Sequence, residues 1–214
     1  MKVGILGSGD VAKALGNGFV TLGHEVRLGS RTAGHAGAAA WASGTGGKGS
    51  TGTFAEAAAF GEVIVLATLG VATPEAIRLA GAKHFDGKVV IDATNPLDFS
   101  APGAPSLAVG PGTSQGEINQ KAIPKAHVVK AFNTTGNANF FRPTFANGPP
   151  DMFICGNDDS AKKKVEQILY DFGWSSVIDI GGIEGSRELE SLCILWVKSA
   201  MKLGNFRVAF RLLR

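Results

Sequence analysis

Short apolar runs alternate with segments of helical periodicity along the chain. Lys2–Leu6 reads as a strand, and Gly9–Leu22 sets Val11, Ala14, Leu15, Gly18, Phe19 and Leu22 at helical spacing. Gly23 stands where a helix C-cap is expected. Glu25–Leu28 predicts a second strand. Ala33–Ala42 is Ala-rich and weakly helical, and the Gly/Ser/Thr stretch Ser43–Gly52 is expected to be flexible. Phe54–Phe60 predicts a short helix, and Glu62–Ala67 a buried strand of the parallel type. Pro74–Ala80 is a helix with Pro in its first turn, and Lys88–Asp92 is a further strand.

From Pro96 to Thr113 the chain is Pro/Gly-rich and predicted irregular. Ser114–Ala122 resumes as a helix and His127–Phe132 as a strand. Asp151–Cys155 predicts another strand after the Gly148-Pro149-Pro150 break. Asp158-Asp159-Ser160 caps a helix running to Phe172, with acidic residues at its positive end. Trp174–Ile180 is the last predicted strand. In Glu184–Leu203 the residues Leu189, Leu192, Cys193, Trp196, Ala200 and Leu203 form one apolar stripe of a long helix. The alternation predicts an α/β fold: a Rossmann-type, doubly wound, mostly parallel sheet with a short α/β C-terminal extension ending in a long helix. The expected division is 1–150 for the doubly wound domain and 151–214 for the extension packed on it.

Composition narrows the class. The chain has 214 residues, 44% hydrophobic and 18% charged, as in a globular protein. No signal-peptide segment opens it, and no apolar run approaches the ~18 residues that span a bilayer, so a cytoplasmic protein without a membrane partner is expected. Cys155 and Cys193 lie in apolar surroundings and read as reduced core residues. Residues 1–197 hold 16 basic and 18 acidic side chains, whereas 198–214 hold five basic (Lys198, Lys202, Arg207, Arg211 and Arg214) and none acidic. A basic cluster so local does not suit a nucleic-acid binder; it suits an anionic substrate or a subunit contact.

The chemistry is concentrated after the first strand. Gly7-Ser8-Gly9-Asp10-Val11-Ala12 is a Gly-x-Gly-x-x-Ala turn between a strand and an amphipathic helix, the context in which that pattern marks dinucleotide binding. Gly7 permits the turn, Gly9 admits a pyrophosphate, Ala12 lets the helix pack closely, and the helix N-terminus offers N–H groups to phosphate. An NAD site would place an acid at the end of the second strand to hold the ribose 2′-hydroxyl. Here Leu28-Gly29-Ser30-Arg31-Thr32 occupies that place, and no acid occurs between Glu25 and Glu56. The Arg31 guanidinium and the Ser30 and Thr32 hydroxyls suit a 2′-phosphate, so the expected cofactor is NADP(H).

Three polar, small-residue loops follow later strands: Thr68-Leu69-Gly70, Ala93-Thr94-Asn95-Pro96 and Asn133-Thr134-Thr135-Gly136-Asn137. Ligands bind at the carboxyl ends of strands in open α/β sheets, so these loops are expected to line the nicotinamide half of a cleft. No metal spacing and no conventional acid–base set is visible. His24, His35, His84 and His127 are expected away from the cleft, Asp92 reads as a turn or cap residue, and Lys130 lies within a strand with its direction open. Hydride transfer to a flavin-like acceptor needs mainly positioning of two rings, which fits that absence.

The opening Lys-Val-Gly-Ile-Leu-Gly-Ser-Gly, Leu-Gly-Ser-Arg-Thr, Ile-Asp-Ala-Thr-Asn-Pro, Val-Val-Lys-Ala-Phe-Asn-Thr and the closing Glu-Leu-Glu-Ser-Leu resemble the NADP oxidoreductase family typified by deazaflavin (coenzyme F-420) dependent NADP reductases. The cytosolic domains of membrane ferric reductases look similar. The resemblance implies pyrophosphate contacts at Ser8, Gly9, Asp10 and Val11 and 2′-phosphate contacts at Ser30 and Arg31. It also implies that Leu69, Gly70, Asn95 and Pro96 line the nicotinamide ribose, with the Thr134–Asn137 loop at the nicotinamide amide. It further implies a homodimer, and a C-terminal helix that shapes the acceptor pocket. The chain departs from the deazaflavin reductases at Asn133-Thr134-Thr135-Gly136-Asn137, where they carry His-Thr-Ile-Pro-Ala. The leading expectation is an NADP(H)-dependent oxidoreductase exchanging hydride with a deazaflavin or flavin co-substrate. A non-catalytic NADP(H)-binding regulator is the alternative. A methyltransferase would want an acid after the second strand, which is absent.

Overall fold

The computed structural model describes residues 1–213. In chain order the elements are β1 (Lys2–Leu6), α1 (Asp10–Thr21), β2 (Glu25–Ser30), α2 (Ala36–Ser43), β3 (Gly49–Thr53) and α3 (Phe54–Phe60). Then come β4 (Val63–Leu66), α4 (Thr73–Ala80), β5 (Val89–Asp92), β6 (Leu97–Asp98), β7 (Ser106–Leu107), α5 (Gln115–Ala122) and β8 (His127–Lys130). The chain closes with β9 (Met152–Gly156), α6 (Asp159–Asp171), β10 (Val177–Asp179) and α7 (Ser186–Leu203). Eight strands form one sheet in the order β10-β9-β8-β5-β4-β1-β2-β3.

All pairs in that sheet are parallel except β8 with β9, so the expected mostly parallel, doubly wound architecture is what the chain adopts. The exception follows from the connection. Only a short 3-10 turn at Asn137–Asn139 lies between β8 and β9, and without a crossover helix the chain returns in the opposite direction. β4 explains why its sequence is uniformly apolar. Val63 and Val65 face the core shared with α1 and α6, while Ile64 and Leu66 face the core shared with α3 and α4. Phe19, Phe132 and Phe172 meet in the first of these cores, with ring centroids 4.8 and 5.6 Å apart for Phe19–Phe172 and Phe132–Phe172.

Several boundaries differ from expectation. Ser43–Gly52 is not flexible throughout, because Gly49–Thr53 forms β3, paired with β2 over its whole length. Its Gly-Ser-Thr-Gly-Thr sequence has no apolar alternation because it is an edge strand held by backbone pairing. β2 runs on to Ser30, and Trp174–Ile180 contracts to β10 at Val177–Asp179. The irregular Pro96–Thr113 segment contains the small antiparallel pair β6–β7. Gly23 ends α1 as expected, with φ +89° and its N–H on Val20 O.

Candidate functional site

A cavity of about 710 Å³ opens at the carboxyl ends of β1, β2 and β4, and its walls include Gly7, Ser8, Gly9, Ser30, Arg31 and Thr32. The turn after β1 demands its glycines for different reasons. Gly7 has φ +145°, and a Cβ there would lie 2.4 Å from Ala67 O. Gly9 is exposed, and a Cβ there would meet no atom within 4 Å; it would instead protrude from the start of α1. Gly9 is the N-cap of α1 and no side chain caps that end, so its first N–H groups face outward, as an anion site requires. Asp10 is exposed in the first turn and Val11 half-buried.

The second cluster is preorganised within its own loop. Ser30 is buried, and its hydroxyl donates to Thr32 O at 2.6 Å, while Arg31 is exposed and makes no salt bridge among the described residues. The carboxylate on the cavity wall, Glu75, is tied to Arg78 at 2.6 Å rather than to Arg31. His35 corrects the sequence expectation, since it lines this cavity. Its Nδ1 accepts from Ala38 N at 3.3 Å as the N-cap of α2. Capping a helix that the sequence marks only weakly is what carries the ring here. His24, His84 and His127 do lie elsewhere: before β2, in the 3-10 turn before β5, and at the start of β8. A cavity of this size with backbone N–H donors, Arg31 and, among the described residues, no free acid fits the adenosine and phosphate part of NADP(H).

The remaining predicted residues lie in loops beside that cavity. Thr68 and Leu69 are on its wall, and Thr68 Oγ1 meets Thr73 Oγ1 at 2.8 Å. Gly70 donates from its N–H to Asn95 O at 3.1 Å; a Cβ on Gly70 would sit 2.2 Å from that oxygen, so glycine there serves loop-to-loop approach. Pro96 is buried beside it. Asn95 and Asn133 clasp one another: Asn95 Nδ2 donates to Asn133 O and Asn133 Nδ2 to Asn95 Oδ1, each at 2.9 Å. Asn133 Nδ2 also donates to Leu189 O of α7 at 2.9 Å. Thr134 is buried, Asn137 starts the 3-10 turn, and Gly136 lies under Trp196, whose ring would be 3.1 Å from a Cβ. Asn133 Oδ1 and Thr135 Oγ1 are buried without a partner among the described residues. Unsatisfied polar atoms in a loop at strand ends are suited to a polar ligand group such as a carboxamide.

Sequence reasoning missed the buried charges behind these loops. Lys130 points inward and donates to Asp92 Oδ2 at 3.1 Å and to Thr94 O at 2.8 Å; its ammonium also lies 3.1 Å from Glu190 Oε1. Burial pushes the Lys130 ammonium down, but Asp92 and Glu190 more than offset it and hold its pKa above the ordinary value. Asp92 does act as a turn residue, accepting from Thr94 N and Oγ1, and it carries the ion pair as well. Glu190 also accepts from the N–H groups of Gln115 and Gly116 at the start of α5. A sequence signal existed in Lys130 within an otherwise apolar strand. Its partners, 38 and 60 positions away, did not show.

The apolar stripe on α7 packs largely against the chain's own fold, with Leu192 and Trp196 half-buried. Leu189, Cys193 and Ala200 are buried, and only Leu203 stands out. The tail after Gly204 folds back: Trp196 Nε1 donates to Val208 O at 2.7 Å and Asp151 N to Phe210 O at 3.0 Å. Arg207 donates to Thr144 O, and a Cβ on Gly148 would lie 2.7 Å from Arg211 Nη1, so both arginines lie along the 143–151 segment. Arg214 lies outside the described residues. Both cysteines are buried and free, with burial pushing Cys155 to about 11 and Cys193 to about 12. No helix among the described residues is long and apolar enough to cross a membrane.

Comparison with known proteins bears on the family and the fold. The family model for NADP oxidoreductases, coenzyme F420-dependent, matches residues 2–96. A solved structure from Arthrobacter sp. FB24, described as a candidate F420-dependent NADP reductase, is 34% identical with a TM-score of 0.94, covering 100% of both chains. The metalloreductase STEAP3 of Rattus norvegicus is 30% identical over 202 residues, which is 89% of this chain and 36% of the relative. The F420-dependent NADP reductase of Methanocaldococcus jannaschii is 28% identical over 146 residues, 66% of this chain and 63% of the relative. The chain therefore spans less than two thirds of either curated relative.

Proposed function

The chain belongs to the family of coenzyme F420-dependent NADP oxidoreductases, and from that premise we propose that it binds NADP(H) and exchanges a hydride with a deazaflavin or flavin acceptor. The observation that carries this reading is the joining of Gly7, Ser8 and Gly9 with Ser30, Arg31 and Thr32 around one cavity that, among the described residues, holds no free acid. The N-terminus of α1 would hold the pyrophosphate, and Arg31 with the Ser30–Thr32 loop the 2′-phosphate. NADPH would supply the hydride, two electrons and a proton, from its nicotinamide ring. Asn95, Pro96 and the 133–137 loop are assigned to that ring's ribose and carboxamide, and the Asn95–Asn133 clasp holds their loops in register. α7 roofs the same region through Leu189 O and Trp196, which would exclude water from the ring and set the acceptor's approach. With these loops doing the positioning, no acid–base side chain is required at the ring.

A homodimer and a cytoplasmic location belong to the same proposal. The second copy would cover Leu195, Met201 and Leu203, apolar side chains exposed on several sides of the last turns of α7. The test is fluorescence titration with NADPH and NADH, followed by NADPH oxidation with a deazaflavin, FMN and FAD as acceptors. Selective NADPH binding with turnover on one of them supports the reading; absence of NADPH binding overturns it. Sedimentation at micromolar concentration tests the dimer, which a monomer mass refutes.

A further inference from the structure

The buried charges behind the loops assigned to nicotinamide are arranged in a way that hydride transfer does not by itself explain. Asp92 and Lys130 are register partners on β5 and β8, and Glu190 reaches them from α7. The three side chains are 0%, 0% and 1% exposed. Among the described residues the two carboxylates only accept hydrogen bonds and donate none. Asp92 accepts from Thr94 N, Thr94 Oγ1, Asn119 Nδ2 and Lys130. Glu190 accepts from Gln115 N and Gly116 N beside the Lys130 ammonium. That is the pattern of two ionised carboxylates sharing one ammonium, a cluster of formal charge −1.

The surroundings do not cancel it. The bidentate Arg187–Glu117 pair next to it, with contacts of 2.5 and 2.8 Å, is neutral as a unit, and the thiols of Cys155 and Cys193 are uncharged. The positive end of α5 offsets the cluster only in part. Asp92 accepts from Thr94 N and Oγ1 and Lys130 donates to Thr94 O, so the cluster as a whole backs the residue before Asn95-Pro96.

Resting on the nicotinamide placement above, we infer that Asp92, Lys130 and Glu190 set the redox poise of the bound cofactor by favouring its oxidised, cationic ring over the reduced, neutral one. Fixed charge in a low-dielectric interior acts beyond direct contact and without rearrangement. When a hydride leaves NADPH for the acceptor the ring becomes positive, so the same field favours donation of hydride by NADPH over the reverse transfer. Asp92 and Glu190 are positioning and tuning residues; neither needs to touch substrate.

The test is the ratio of Kd for NADP+ to Kd for NADPH, a quantity that a general loosening of the site does not move in one direction. In the unmodified protein NADP+ is expected to bind more tightly than NADPH. Glu190→Gln and, independently, Asp92→Asn remove one negative charge each and are expected to raise the ratio on the order of tenfold. The double variant Lys130→Met with Glu190→Gln restores the formal charge of −1 and is expected to return the ratio towards the parent value. Circular dichroism establishes that each variant is folded. A parent protein that binds NADPH far more tightly than NADP+, or a ratio unmoved in a folded variant, overturns the inference while leaving the proposed function intact. A parent protein that binds neither nucleotide overturns both.

Discussion

Replacing Arg31 by Ala is the most direct test of which cofactor this site selects. The Arg31 side chain is exposed, lines the cavity and makes no salt bridge among the described residues, so its loss leaves no buried group unpaired. The fold should therefore melt within a degree or two of the parent, as ordinary surface substitutions do. What the variant loses is a charge-assisted contact to the 2′-phosphate, worth about 1.5–3 kcal/mol. That range corresponds to roughly ten- to a hundredfold in Kd for NADPH. NADH has no 2′-phosphate, so its Kd should barely change and the selectivity ratio should collapse by the same factor. Arg31→Lys keeps the charge but loses the planar fork, and an intermediate loss is expected. Intrinsic-fluorescence titrations of parent, Arg31→Ala and Arg31→Lys with both nucleotides, at one fixed ionic strength, give the numbers. An equal loss for NADPH and NADH would show that Arg31 shapes the loop rather than binding phosphate, and the assignment would fall.

Three further outcomes follow from the geometry. Gly9→Val should abolish binding of both nucleotides with the fold intact, because a side chain there meets no protein atom, whereas Gly7→Ala should lower the melting temperature because its Cβ collides with Ala67 O. Normal nucleotide binding by folded Gly9→Val would remove the turn from the site. Iodoacetamide at pH 8 should leave Cys155 and Cys193 unmodified in the native protein and modify both after denaturation, since burial raises them to about 11 and about 12; rapid native labelling contradicts this. The hydrogen bond from Arg187 holds the Glu117 carboxyl below the usual carboxylate range. The stability it contributes is therefore present above the unfolded carboxylate pKa and lost as pH falls through the folded one. Urea unfolding should thus show Glu117→Gln weaker than the parent at pH 7, with the difference shrinking by pH 3; a constant difference refutes the link.

Much of this protein is determined locally and could be read without coordinates. The strand–turn–helix at Lys2–Thr21 depends on residues adjacent in the chain, and the periodicity of Val63–Leu66 and Val89–Asp92 follows from burial on both faces of a parallel sheet. The absence of an acid after β2 is likewise a local fact, and with the glycines it points to NADP(H). Tertiary structure decided the rest. β3 exists because β2 offers it an edge, which its polar sequence does not announce. The reversal of β9 depends on the path of residues 131–151, where Phe132 takes φ +65° and is held by Phe140 and Phe172. His35 reaches the cavity because it caps a helix whose start the sequence marks only weakly. The ion cluster needed β5, β8 and α7 to converge before Asp92, Lys130 and Glu190 could meet. Local chemistry is written in neighbouring residues, whereas a buried charge is stable only with partners the fold delivers from far along the chain.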